Sequence, residues 1–258
     1  MSKIKIMSVP FENLSKAEYE SAVRARLASG DKTVIFTPNP QMLLGAKKDL
    51  QAKKALQQAD INIPDGCGII IASKILRPPL KEAVCGIDFA ENILSIAQEQ
   101  KLSVFLLGGK EGRADAAQDA LKIKFPDLNI CGTHHGYFQK QGKDNEAVVK
   151  KINLCAPDII FVCFGFPEQE KWIAHNAGLF PSCKLTMGLG GSIDVWSGEV
   201  KRAPKLFRKM RLEWLWRAIK EPRRLRILID IPVFLFDIFS QKIKGHPAKS
   251  ETPINTDL

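Results

Sequence analysis

The 258-residue sequence predicts an α/β protein: a doubly wound, mostly parallel sheet between helix layers, followed by a basic helical C-terminal appendage. Three observations carry this prediction. Short apolar or β-branched runs recur before Lys201, each followed by turn residues and then by a stretch with helical spacing, as in alternating strand and helix. These runs are continuously apolar, as expected of strands covered on both faces. The net positive charge falls in the last quarter of the chain, beside further apolar residues.

The elements follow in order. Met1-Ser-Lys-Ile-Lys-Ile-Met7 leads to Glu12 without the apolar core of a signal peptide, so a cytoplasmic protein is expected. Four runs read as strands: Thr33 to Phe36, Ser103 to Leu107, Ile159 to Phe164 and Lys184 to Met187. Open parallel sheets bind ligands at the carboxyl ends of their strands. There stand Thr37-Pro-Asn39, Gly108-Gly109, Gly165-Phe-Pro-Glu-Gln169 and Gly188-Leu-Gly-Gly191. From Ala203 the pattern turns helical, with Leu206, Phe207, Met210, Trp214 and Ile219 near a 3.6-residue period, and the tail after Gly245 reads as disordered. A hydrophobic content of 45% suits one substantial core with a small appendage, divided near residue 200. The expected units are 1–200, 201–245 and a tail of 246–258.

Between Lys201 and Lys249 stand fourteen Lys and Arg against four Asp and Glu, an excess equal to the net charge of +10 for the whole chain. A local cationic surface implies an anionic partner, either nucleic acid or a membrane face. The interleaved apolar run Ile227 to Phe239 favours the headgroup boundary of an anionic bilayer over a phosphate backbone. Asp230, Pro232 and Asp237 break that run short of the roughly 18 apolar residues a spanning helix needs, so the segment is expected to lie on a membrane. The six cysteines form no CxxC pair or short Cys/His cluster, which argues against zinc and disulfides and for small buried hydrophobes.

Gly108-Gly-Lys-Glu-Gly112 offers backbone amides and a helix amino terminus to a phosphate, or is a tight turn that needs glycine. It matches neither GxGxxG nor the P-loop pattern. Gly188 to Gly191 repeats the arrangement, and two such loops at one edge favour a diphosphate or nucleotide. Tyr137 is a base-stacking candidate or equally a core residue. Asp65, in Ile63-Pro-Asp-Gly-Cys-Gly68, is a turn residue or a general base, with Thr37 and Asn39 as hydrogen-bonding company. No DxD string offers a divalent-metal site, so phosphate charge would fall to amides, helix termini or arginine. Glu168 and Glu170 suit the first turn of a helix, and Gln169 offers an amide for a sugar or uracil. Arg217, Arg223, Arg224 and Arg226 are the cations suited to a pyrophosphate clamp or, alternatively, a solvated basic face.

These strings together resemble the WecG/TagA/CpsF family of bacterial glycosyltransferases. The similarity covers nearly the whole chain: TPNPQMLLGAKKD, IPDGCGIIIASKIL, GIDFAENIL, VFLLGGKEG, HGYF, PDIIFVCFGFPEQEKWI, GLGGSIDVWSGEVKRAP and LEWLWRAIKEPRRLRI, in that order. The resemblance implies an inverting transferase; with no DxD string, no metal or cofactor is expected. It would move N-acetylmannosamine, its uronic acid or glucose from a UDP-sugar to a sugar on an undecaprenyl-diphosphate carrier. It implies Asp65 as base with Thr37 and Asn39 beside it, and an appendage that brings arginines and a membrane contact. It also implies an oligomer of unspecified size. Relatives often carry an arginine shortly before Gly-x-Asp, where this chain has Glu82-Ala83-Val84-Cys85, so no particular donor sugar is carried over.

The expected site is then Asp65, Thr37 and Asn39 for catalysis. Gly108, Gly109, Tyr137, Gly165, Gln169, Glu170, Gly190 and Asp194 would hold the UDP-sugar, and Arg217, Arg223, Arg224 and Arg226 the acceptor diphosphate. The enzyme rival, a dinucleotide oxidoreductase, lacks the acidic residue of the ribose-binding fingerprint. The non-enzyme rival is a basic membrane- or nucleic-acid-binding module, with nucleic acid disfavoured as a partner.

Overall fold

In the computed structural model, which describes residues 3–209, 213–220, 225 and 227–244, the chain starts with an antiparallel hairpin of β1 (Lys3–Ile6) and β2 (Val9–Glu12). Its two-residue turn, Met7 and Ser8, takes positive φ at both positions, the geometry that follows the twist of the strands. The hairpin is tied to the sheet by Glu12, whose buried carboxylate accepts from Asn62 N at 2.6 Å.

Helix α1 (Lys16–Ser29) opens with a capping box of Ser15 and Glu18, then β3 (Thr33–Phe36), α2 (Pro40–Ala46), α3 (Leu50–Gln58), β4 (Ile61–Asn62), α4 (Cys67–Leu76) and α5 (Gly86–Glu99) follow. The second half adds β5 (Ser103–Gly108), α6 (Arg113–Lys124), β6 (Asn129–His134), α7 (Gly142–Cys155), β7 (Ile159–Cys163), α8 (Glu168–Asn176), β8 (Leu185–Gly188) and α9 (Ser192–Trp196). Strands β3 to β8 form one all-parallel sheet in the order β4-β3-β8-β7-β5-β6. Alternate residues point to opposite faces. Ile35, Val104, Leu106, Phe161 and Met187 pack under α1, α5, α6 and α9, while Phe36, Phe105, Leu107, Ile160 and Val162 pack under α2, α3, α4, α7 and α8. Both faces are covered, as the continuous apolar runs predict.

The four strands read from the sequence are the sheet's four central members. The outer strands and the hairpin were not legible by the same rule. β4 is two residues long and carries Asn62, and β6 mixes Gly, Thr and His that are only half-buried. The cysteines depart from expectation: Cys163 and Cys183 are buried, but Cys67, Cys85, Cys131 and Cys155 are half-buried, and all six are free thiols.

The C-terminal segment contains α10 (Lys205–Lys209), α11 (Glu213–Lys220) and α12 (Ile227–Ile243). Pro232 does not break α12; the helix continues through it, with the proline on the exposed side. The helix is held by packing: Phe234 and Ile238 are fully buried in the core shared with α2 and α4. Each such burial contributes about 1.5–3 kcal/mol, enough to offset a missing backbone hydrogen bond. The two acids inside the apolar run are anchors. Asp237 pairs with Lys47 at 2.8 Å, and Asp230 accepts from Gln41 at 3.0 Å. At the far end Gln241 Oε1 accepts from Met7 N at 2.9 Å. No helix among the described residues is long and apolar enough to cross a membrane.

Candidate active site

A cavity of about 540 Å³ opens at the carboxyl ends of β3, β4 and β8. Its position follows from the topology: α2 leaves β3 for one face of the sheet, α9 leaves the neighbouring β8 for the other, and the chain parts between them. Thr37 and Asn39 line it from the β3 end, Asp65 from the turn after β4, and Leu189, Gly191 and Ser192 from the turn after β8. Backbone bonds hold the turns together, Asp65 N to Pro38 O at 3.2 Å and Val84 N to Pro64 O at 2.9 Å. Asn39 caps α2, its Oδ1 accepting from Met42 N at 3.0 Å. Gly86 brings the start of α5 against Thr37: a β-carbon there would stand 2.9 Å from Thr37 Oγ1.

Several charged side chains line the cavity, among them Asp65, Asp88, Arg208 and Glu213. Burial, aided by the negative charges of Asp65, Asp88 and Glu213, pushes the Cys85 thiol up to about 12, so Cys85 stays protonated beside Asp65. Asp88, in the first turn of α5, experiences burial that opposes ionisation. The bond and charge of Arg202 outweigh it and hold the carboxyl below the usual range. Arg202 Nη1 meets Asp88 at 2.7 Å, and its Nη2 reaches Glu213 at 3.6 Å. This triad fastens the segment around α10 and α11 to the α/β core at the cavity mouth. Part of the wall is apolar, formed by Trp214, Ile231, Phe234 and Leu235. An acid in a half-enclosed cavity with hydroxyl, amide and apolar neighbours can take a proton from a bound hydroxyl.

The structure divides the expected site residues. Thr37, Asn39 and Asp65 share the cavity, whereas the expected donor-binding residues lie outside its lining. Gly108 ends β5 and Gly165 follows β7, farther along the same sheet edge. Gly109 O accepts from Gly136 N at 2.8 Å, joining the β5 and β6 loops. Tyr137 on that loop is 71% exposed and is no core residue; its neighbour Phe138 lies under Lys140 Nζ, 3.6 Å from the ring centroid. Asp194 forms an ion pair with Arg113 at 2.6 Å, linking α9 to α6. Gln169 and Glu170 are buried beneath the β8 turn, so Gln169 binds backbone: its Oε1 accepts from Leu189 N at 3.1 Å and Gly190 N at 2.7 Å. The side chain of Arg217 and all of Arg223, Arg224 and Arg226 fall outside the described residues.

Sequence reading missed Gly86, Asp88, Arg202, Glu213 and the apolar wall. Gly86-Ile-Asp88 and the Arg202 string both stand among the family-like motifs, but their pairing spans 114 residues and no local pattern reveals it.

The fold and cavity are those of an α/β enzyme with its site at the strand ends. The chain belongs to the glycosyl transferase WecG/TagA/CpsF family, whose profile matches residues 4–248, and it is a glycosyltransferase. It is similar to N-acetylglucosaminyldiphosphoundecaprenol N-acetyl-β-D-mannosaminyltransferases of Staphylococcus aureus. Those of strains MRSA252 and MW2 are each 36% identical over 250 residues, covering 96% of this chain and 96% of the relative.

Proposed function

We propose that this transferase moves a sugar from a UDP donor, with inversion at the anomeric carbon, to a sugar on an undecaprenyl-diphosphate carrier in cell-surface polysaccharide synthesis. What supports this most is the meeting of Asp65, Thr37 and Asn39 in one cavity of a chain alike over 96% of its length to mannosaminyltransferases. The relatives' name supplies N-acetylglucosamine-diphosphoundecaprenol as acceptor and N-acetylmannosamine as the first sugar to test.

Asp65 takes the proton of the acceptor hydroxyl while that oxygen attacks the anomeric carbon. The carbon–oxygen bond to the nucleotide breaks, and UDP leaves with the electron pair. One displacement inverts the centre. Thr37 and Asn39 orient the sugars, the glycine loops with Tyr137 accept the nucleotide, and the C-terminal arginines meet the carrier diphosphate. The transfer is proposed to run without metal or cofactor, because the sequence has no DxD string. The enzyme works on the inner membrane face. Ile229, Phe236 and Ile243 of α12 are 68%, 72% and 84% exposed, on a segment rich in Lys and Arg.

UDP release from a panel of UDP-sugars, with and without a polyprenyl-diphosphate-linked acceptor, tests the proposal. Acceptor-dependent release with one donor is expected, and D65N should lower it by 10²-fold or more on the scale of a lost general base. Full turnover by a folded D65N protein rules out Asp65 as the base.

A further inference from the structure

Glu170 is a fully buried acid, 0% exposed, and forms no ion pair among the described residues. Its Oε1 accepts from Gln169 Nε2 at 2.8 Å, and its Oε2 is buried without a hydrogen-bond partner among the described residues. Burying an acid this way is costly, and an apolar side chain would fill the space without that cost. The carboxyl does one thing that an apolar group cannot: it fixes the Gln169 amide. With Nε2 directed to Glu170, Oε1 faces the opposite way and accepts from two successive backbone amides, Leu189 N and Gly190 N. Leu189 N also donates to Val162 O, whereas Gly190 N donates to Gln169.

The amide side chain crosses the end of β8 at close range. A β-carbon on Gly188 would stand 2.4 Å from Gln169 Nε2 and 3.0 Å from the Phe36 ring. A glycine strand end, a flat amide and a carboxyl are therefore stacked beneath a turn whose residues Leu189, Gly191 and Ser192 line the cavity with Asp65.

We propose that Glu170 is a positioning residue of the transfer reaction: it orients Gln169, which pins the Gly190 amide and so sets the shape of the cavity wall formed by the β8 turn. It touches no substrate. Its effect on kinetics rests on the transferase reading above; its effect on the turn does not.

The test compares E170M, which fills the site without an acceptor, with E170Q, which keeps an oxygen for Gln169 Nε2. Amide hydrogen exchange is read at Gly190, and KM and kcat are read with the donor that supports turnover. E170M should keep the wild-type circular dichroism, exchange the Gly190 amide at least tenfold faster, and raise the donor KM about tenfold with a smaller change in kcat. E170Q should restore both the exchange rate and the KM. Wild-type exchange at Gly190 in E170M, or an E170Q protein as impaired as E170M, overturns the proposal. The exchange measurement decides even for a preparation without turnover, and absence of turnover in the wild type counts against the transferase reading alone.

Discussion

Single residues set the precision of the site, and two of them make separable predictions. Burial pushes the Glu170 carboxyl up to about 7, above its ordinary value of 4.5. The folded chain therefore holds this proton more tightly than the unfolded chain. Stability falls as pH rises from about 4.5 through 7, and the full penalty stands above 7, on the order of 3 kcal/mol at ~1.4 kcal/mol per pKa unit. The stability of E170Q relative to wild type should grow by that amount between pH 4.5 and pH 8 in urea titrations; a constant difference contradicts a buried, uncompensated carboxyl. Gly86→Ala sets a β-carbon against the Thr37 hydroxyl and should cost about 1–3 kcal/mol of stability by overpacking. Turnover should fall at least tenfold through displacement of Thr37, and unchanged kinetics would remove Thr37 from the proposed machinery.

At the scale of elements, α12 is the informative case because its two sides differ. Phe234→Ala empties a buried position shared with α2 and α4 and should cost about 3–5 kcal/mol, whereas Phe236→Ala, on the exposed side, should lie within about 0.5 kcal/mol. Thermal melts of the two variants check the docking of the helix; equal effects would mean that α12 does not pack as described. The helix also shows where sequence reading stops. Asp230, Pro232 and Asp237 look like interruptions of an apolar run, but Gln41 on α2 donates to Asp230 and Lys47 at its C-terminal end pairs with Asp237. The central strands were legible because a strand covered on both faces must be apolar throughout, a local property. The short β4 and the half-buried β6 obey no such rule. In the site, the strand-end turns were legible as turns, but the burial of Gln169 under the β8 turn depends on register, which composition does not carry.

For the whole molecule, charge suggested a boundary near residue 200. The described C-terminal helices help to line the cavity and add Phe234 and Ile238 to the apolar core around α4. Truncation after Pro204 is thus expected to lower the melting temperature by several degrees and to abolish transfer; an intact melting temperature would mean that the core stands alone. The proposed metal independence is also tested on the whole enzyme: dialysis against EDTA should leave turnover within twofold, and restoration by Mg²⁺ after a loss would defeat it.

Helix α12 presents Phe234 to the reaction cavity and Phe236, two positions on, to the surroundings. If that outer side rests on a bilayer, the carrier lipid meets the enzyme by travelling in two dimensions. The concentration that governs rate is then the mole fraction of carrier among the lipids, and the volume of the vessel drops out. Adding inert phospholipid at a fixed amount of acceptor should slow transfer in proportion to its dilution within the membrane, while adding buffer should leave the rate per membrane-bound enzyme unchanged.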